Sequence, residues 1–257
     1  MVVDFSLAGK VAVVTGAAVG GIGEAYAKAL AGAGAAVVCA DINQAGARTV
    51  AETIVGDGGS ALAIGVDITD DASVDSMVQR AVRELSGIDI LVNNAALMAQ
   101  IVAGGPTLAF SSTMWDQAFA VNVKGAWNCA RAVVPEMVKR GGGSIVNQSS
   151  IGALPAESVY GITKVAIIGL TTTLARELGP AKINVNCIAP GLTQSEAGKM
   201  LTPDDSPYTQ MMEARAAIRA KGLPSELCGA LLLFVSPAGR WITRQVLVVD
   251  GGIVLHT

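Results

Sequence analysis

Charge is scarce in this chain: only 15% of its 257 residues are charged, and 18 Lys and Arg fall short of 21 Asp and Glu, leaving a net charge of −3. With no positive excess there is no field to gather phosphate backbones or acidic lipid, so no nucleic acid and no membrane surface is expected as a partner. Histidine is nearly missing as well, His256 being the only one, and the four cysteines (Cys39, Cys129, Cys187, Cys228) lie far apart with no CxxC pair. Zinc sites and Ser-His-Asp or Cys-His hydrolases need such residues in clusters, so no metal is expected. The longest uncharged run, 90–115, is long enough to span a bilayer, but Asn93, Asn94, Gln100, Gly104, Gly105, Pro106, Ser111 and Ser112 interrupt it, which argues against a membrane span. Residues 1–10 carry Asp4 and no apolar run, so they do not read as a secretory signal, and the scattered cysteines suit a reducing cytoplasm.

Apolar residues and glycine are plentiful instead, at 51% hydrophobic residues and 30 glycines, which marks a compact chain with tight turns. Short β-branched apolar runs recur at 11–15, 36–40, 61–66, 88–92, 144–147, 183–188 and 246–249. Most are apolar on both faces, as strands of a parallel sheet covered by helices must be. Segments with helical spacing lie between them, at 25–33, 45–55, 72–85, 114–140, 159–178 and 224–234. Strand and helix alternate, which predicts an α/β fold: one domain over 1–257, a doubly wound seven-stranded parallel sheet with helices on both faces. Asp70 and Asp71 mark one helix start, Gly56 and Gly87 two helix ends, and Pro180 follows a third. The weakly patterned segment 192–217 falls between the last two strands, where it is either a lid over a ligand site or an ordinary surface excursion.

The first strand runs into TGAAVGGIG at 15–23, followed by a helix. Glycines let a backbone turn sharply and approach a pyrophosphate, and the helix N-terminus supplies free N–H groups with partial positive charge. Asp41 ends the second strand, where a carboxylate can accept both ribose hydroxyls of an adenosine and would repel a 2′-phosphate. That favours NAD over NADP, the alternative being an acid that caps the helix near Asn43. Tyr160 and Lys164 are spaced i, i+4 on one helix face, with Ser150 upstream at a strand end. Moving a phenol from about 10 to near neutrality requires roughly 4 kcal/mol, which an ammonium about 4 Å away could supply at an effective dielectric of 20. An isolated YxxxK is otherwise a solvated helix face.

The glycine loop, Asp41, NNAA at 93–96, Asn122 in VNVKG, IVNQSS ending at Ser150, YGITK at 160–164, IAPG ending at Gly191 and VDGG at 249–252 occur in order over essentially the whole chain. Together they resemble the short-chain dehydrogenase/reductase family, in its NAD-preferring branch of about 250 residues. That resemblance implies a Rossmann-type sheet and an NAD-dependent alcohol dehydrogenase or ketoreductase. It implies that Tyr160 exchanges a proton with the substrate, that Lys164 binds the nicotinamide ribose and lowers the Tyr160 pKa, and that Ser150 hydrogen-bonds the reacting oxygen. Asn122 would hold a relay water, or else serve as a structural hydrogen-bonder. Gly16, Gly21, Ile22 and Gly23 would line the pyrophosphate, Asn94 and Ala95 the adenosine ribose, Ile68 the adenine, and Pro190, Gly191, Thr193 and Ser195 the nicotinamide end. Asp67 reads equally as an adenine contact and as a helix-start acid. The resemblance also implies a homotetramer built through 114–140, 159–178 and the last strand.

The loop carries one residue more than TGxxxGxG, so either Gly20 or Gly21 is its middle glycine. Arg244 stands where the family has glycine, which implies strain if the turn needs positive φ. Leu97, Met98, Ile151, Ala153, Leu154, Met200, Met211 and Met212 would make an apolar pocket, favouring an alicyclic, steroid-like, terpenoid or acyl secondary alcohol or ketone. Two other readings remain: a catalytically silent nucleotide-binding regulator, and an epimerase or dehydratase that uses bound NAD transiently.

Overall fold

A computed structural model describes residues 3–102 and 105–254; His256 lies outside the described residues. Seven strands, β1 (Val11–Thr15), β2 (Ala36–Asp41), β3 (Ser60–Gly65), β4 (Ile90–Asn93), β5 (Gly143–Gln148), β6 (Ile183–Pro190) and β7 (Val246–Val249), form one parallel sheet in the order β3-β2-β1-β4-β5-β6-β7. The winding reverses between β1 and β4. Loops leaving neighbouring strands diverge there and open a crevice at the carboxyl edge of the sheet.

Helices α1 (Ile22–Gly32), α2 (Gln44–Gly56) and, late in the chain, α10 (Cys228–Val235) cover one face; α3 (Asp71–Leu85), α6 (Gly125–Lys139) and α7 (Val159–Leu178) cover the other. The strands alternate between these cores. Val14, Val37, Cys39, Val92 and Val146 pack toward α1 and α10, and Val13, Val38, Leu91 and Ile145 toward α3 and α6, all fully or almost fully buried. Each such aliphatic side chain contributes about 1.5–3 kcal/mol on burial, so both faces are needed. Asn43, Asp70 and Ser158 cap α2, α3 and α7 by accepting the N–H groups of Gly46, Ala72 and Gly161.

At the opposite edge of the sheet Asp89 accepts the Val11 N–H at 2.9 Å and pairs with Lys10 and Arg140. Burial works to raise its carboxyl, but Arg140, the Val11 amide and Lys10 together hold it below the usual range. The start of the sheet is thereby clamped to the end of α6.

Three features differ from the sequence-based expectation. The segment 114–140 is α5 (Ser112–Phe119), a π-helical turn (Ala120–Lys124) and α6 rather than one helix. The segment 224–234 begins as a 3-10 turn, Pro224–Leu227, before α10. Between the last two strands, 192–217 is organised by two short helices, α8 (Glu196–Leu201) and α9 (Pro207–Arg215), with the four-residue α4 (Ala99–Val102) packed near α8. Arg244 adopts φ +65°, the left-handed conformation that carries a steric cost for a residue with Cβ, while its N–H reaches the Val185 carbonyl at 2.7 Å.

Candidate functional site

The β1–α1 loop is held in a conformation that its glycines make possible. Gly16 and Gly20 have φ +68° and +82°, whereas Gly21 is the N-cap of α1 with φ −103°. A Cβ on Gly23 would lie 2.0 Å from the Gly16 carbonyl oxygen, and one on Gly21 would meet nothing closer than 3.7 Å. Gly20 is therefore the middle glycine that needs to be glycine, and the extra residue is absorbed by Gly21 at the helix start. Glu24 accepts the Gly20 N–H at 2.7 Å and Lys28 at 2.6 Å. Burial raises its carboxyl, and Lys28 and the Gly20 amide outweigh that, leaving it below its usual value.

Asp41 accepts the N–H of Ala18 from this loop at 3.0 Å and that of Asn43 at 2.8 Å, so the carboxylate ties the loop to β2 while Asn43 itself caps the helix. Asn94 donates to the carbonyls of Thr15 and Gly16, both at 3.0 Å, and its backbone N–H and that of Ala95 donate to Thr15 Oγ1. The end of β4 thus anchors the glycine loop.

Tyr160 and Lys164 project from the first turns of α7. Lys164 is 2% exposed, donates to the Gln148 carbonyl at 2.9 Å, and holds its Nζ 5.4 Å from the centre of the Tyr160 ring. Ser150 Oγ accepts the Gly152 N–H at 3.1 Å, which leaves its own proton to donate. A Cβ on Gly152 would lie 3.4 Å from Ser150 Oγ and 3.9 Å from Tyr160 Cδ1, so serine and tyrosine flank the same glycine.

Burial pushes the Tyr160 phenol up to about 12, against a smaller downward pull from a Ser150 hydrogen bond, and pushes the Lys164 ammonium down to about 8. Burial is the dominant cause of both shifts. Lys164 gives one N–H to the Gln148 carbonyl and keeps two others free beside the Tyr160 ring.

Asn122 sits in the π-helical turn. Its Nδ2 donates to the Leu97 carbonyl at 3.0 Å and Thr163 Oγ1 at 3.1 Å, and its Oδ1 accepts the Leu97 N–H at 2.7 Å. Both amide protons are engaged, so the side chain braces the segment that follows β4 to α7. Thr163 in turn donates to the Tyr160 carbonyl at 2.7 Å, which joins the brace to the tyrosine.

A cavity of about 340 Å³ brings together Gly16, Gly21, Ile22, Asp41, Asn94, Ala95, Tyr160, Lys164 and Ser195 from the sequence-based set. An adjoining cavity of about 370 Å³ adds Asp67 and Ile68 and shares Gly16, Asp41 and Ala95. Asp67 also closes a local turn by accepting from the Thr69 N–H and hydroxyl. Gly23, Asn122, Ser150, Pro190, Gly191 and Thr193 line neither cavity: Gly23 packs on Gly16, and Thr193 is buried with its hydroxyl on the Gly191 carbonyl. Ser195 caps α8, and the Glu196 N–H donates to the Gly20 carbonyl at 2.9 Å, which lays the start of 192–217 on the glycine loop. Lys221, its side chain 3% exposed, ties Thr202 and Asp204 of that segment from below. Of the pocket residues read from sequence, Met98 lines the first cavity and Leu97 the second, Ile151 and Ala153 are buried, and Met200 and Met211 are exposed.

The sequence reading missed Gln148 and Glu196, which line the first cavity. Gln148 carried a signal, being with Asn147 one of two successive amides that end a buried strand; Glu196 carried none. Two glycines in left-handed conformation, a helix N-terminus, a terminal carboxylate on β2 and a buried lysine with donors to spare around connected cavities fit a dinucleotide.

A family model described as enoyl-(acyl carrier protein) reductase matches residues 16–254. An uncharacterized oxidoreductase of Mycobacterium tuberculosis is 46% identical over 252 residues, 96% of this chain and 98% of that protein. A gluconate 5-dehydrogenase from Burkholderia cenocepacia in complex with NADP and tartrate superposes with a TM-score of 0.90 at 33% identity, covering 98% of this chain and 97% of that one. A 7α-hydroxysteroid dehydrogenase complexed with NADH and 7-oxo glycochenodeoxycholic acid gives 0.89 at 35% identity, covering 97% and 96%.

Proposed function

The chain belongs to the short-chain dehydrogenase/reductase family, and on that premise we propose that it is an NAD(H)-dependent oxidoreductase acting on a secondary alcohol or ketone. The observation that carries the reading is the cavity lined both by the glycine loop and by Tyr160 and Lys164. When bound there, a nicotinamide dinucleotide supplies the hydride acceptor or donor.

The residues then have separable tasks. Tyr160, kept protonated by burial, holds the proton at Oη for a substrate oxygen and suits ketone reduction as the general acid. Ser150, whose hydroxyl hydrogen-bonds Tyr160, turns its proton to the same substrate oxygen. Lys164 uses one of its three N–H groups on Gln148, which leaves two for the ribose hydroxyls. Asn122 is the brace that sets Tyr160 through Thr163. Asp41 and Ile42, the latter 78% exposed, lie at the adenosine end, and among the described residues no lysine or arginine lines the cavity beside them. This supports NAD over NADP, since a 2′-phosphate would find like charge and no cation.

The apolar Leu97 and Met98 at the cavity walls support an alicyclic or otherwise apolar substrate, with 192–217 as its lid. The free, mostly buried cysteines suit a reducing compartment such as the cytoplasm. Exposed Trp127, Val138 and Val165 on α6 and α7, and exposed Trp241 and Leu247 at the β7 edge, support a homotetramer with two kinds of interface.

The test is NADH or NADPH formation from a panel of cyclic and aliphatic secondary alcohols. Wild type is expected to turn over with NAD, and Tyr160→Phe to lose at least a hundredfold in kcat while still binding NADH. Preference for NADP would reverse the reading of Asp41, and undiminished turnover by Tyr160→Phe would remove the proton-transfer assignment.

A further inference from the structure

Gln148 is the last residue of β5 and lies between the two halves of the site. Its side chain has two polar partners. Tyr26, wholly buried in α1, donates its hydroxyl to Gln148 Oε1 at 2.8 Å, and Gln148 Nε2 donates to Asn94 Oδ1 at 3.1 Å. Asn94 then spends its own Nδ2 on the carbonyls of Thr15 and Gly16. The order of donors in this chain is forced. An Asn94 amide that gives both protons to the loop must present its oxygen to Gln148, and Gln148 must answer with nitrogen and leave its oxygen for the tyrosine. Through its backbone the same residue accepts Lys164 Nζ.

We propose that Gln148 is a positioning residue that sets the glycine loop relative to the Tyr160–Lys164 pair: its side-chain amide locks the Asn94 amide, and through it the loop, while its carbonyl holds the lysine. The proposal rests on the reading of this cavity as a dinucleotide site. A buried amide earns its place here because a polar chain in a dry interior is stiff when every member is paired and costly when one is not.

Three variants separate the arms. Gln148→Met keeps the volume and removes both hydrogen bonds. Gln148→Glu keeps the acceptor for Tyr26 and removes the donor to Asn94. Tyr26→Phe breaks only the bond on the far side. NADH and NADPH affinity is read by fluorescence titration, loop order by amide hydrogen exchange of residues 15–20 in the cofactor-free protein, and overall stability by the thermal midpoint. Both Gln148 variants are expected to weaken dinucleotide binding about tenfold, roughly what one buried hydrogen-bond partner is worth, and to speed exchange in the loop by a similar factor. Tyr26→Phe is expected to lower the midpoint comparably, yet to change binding by less than about threefold, which a purely structural role for Gln148 would not produce.

Wild-type binding and wild-type loop exchange in Gln148→Glu would overturn the proposal. So would a Tyr26→Phe variant whose binding falls as far as that of Gln148→Met, because affinity would then only track stability. A wild-type protein that binds neither NADH nor NADPH would instead strike the dinucleotide reading itself, and the exchange measurement would still decide whether Gln148 orders the loop.

Discussion

The two titrating side chains at the centre of the site are pushed in opposite directions by the same cause, desolvation, because one is charged when protonated and the other when deprotonated. Lys164 falls from 10.5 to about 8 on burial, so the folded protein sheds this proton before the unfolded chain does. Its buried ammonium destabilises the fold fully below about 8, and the penalty is relieved as pH rises from there to 10.5. Tyr160 moves from 10.0 to about 12, so its contribution is favourable below 10 and is lost as pH climbs from 10 toward 12. The Tm difference between Lys164→Met and wild type is therefore expected to favour the mutant most near pH 7 and to shrink steadily toward pH 10. Thermal melts of the cofactor-free proteins across that range check it, and a difference that does not change with pH would contradict the burial of a titrating lysine.

At the scale of elements, the strand–loop–helix unit at the start of the chain depends on where glycine is needed and where it is merely present. Gly23 touches the Gly16 carbonyl so closely that a Cβ would overlap it at 2.0 Å, whereas Gly21 has ordinary φ and its nearest neighbour stands at 3.7 Å. Gly23→Ala is expected to weaken dinucleotide binding more than tenfold and to destabilise by about 1–3 kcal/mol, the usual cost of overpacking. Gly21→Ala is expected to bind within about threefold of wild type, since an added Cβ there has space and the φ is one any residue adopts. Paired titrations and melts of the two variants check this, and equal damage at both positions would mean that the loop has a different conformation. The spacing of the glycines marked the loop but left the middle glycine open between Gly20 and Gly21, because one-residue insertions are resolved by φ and packing rather than by pattern. The same holds for the segment 114–140, whose hydrophobic periodicity continues through a π-helical turn where Asn122 turns its amide to Leu97 and Thr163.

For the whole molecule, apolar side chains are exposed on α6, α7 and near the β7 edge. Trp241 is 96% exposed, a heavy liability for an isolated subunit with so little surface charge. Light scattering is expected to give four times the 26.0 kDa chain mass, and Trp241→Asp to lower the assembly toward dimers or monomers; a wild-type monomer at working concentration would remove the tetramer. The sequence by itself determined the seven strands, their alternation with helices, and the glycine loop at the end of the first strand, because strands buried on both faces must be apolar throughout and a loop that turns sharply into a helix is marked by its glycines. It also marked Tyr160 and Lys164 as neighbours, since four residues on a helix share a face. Only the tertiary structure decided what those residues experience: that Lys164 faces the Gln148 carbonyl, that the Asn122 amide is spent on Leu97 and Thr163, and that Gln148 joins Tyr26 to Asn94. These are contacts between residues 16 to 122 positions apart, and both desolvation and hydrogen-bond pairing depend on which atoms the fold brings within about 3 Å, a quantity that no local pattern carries.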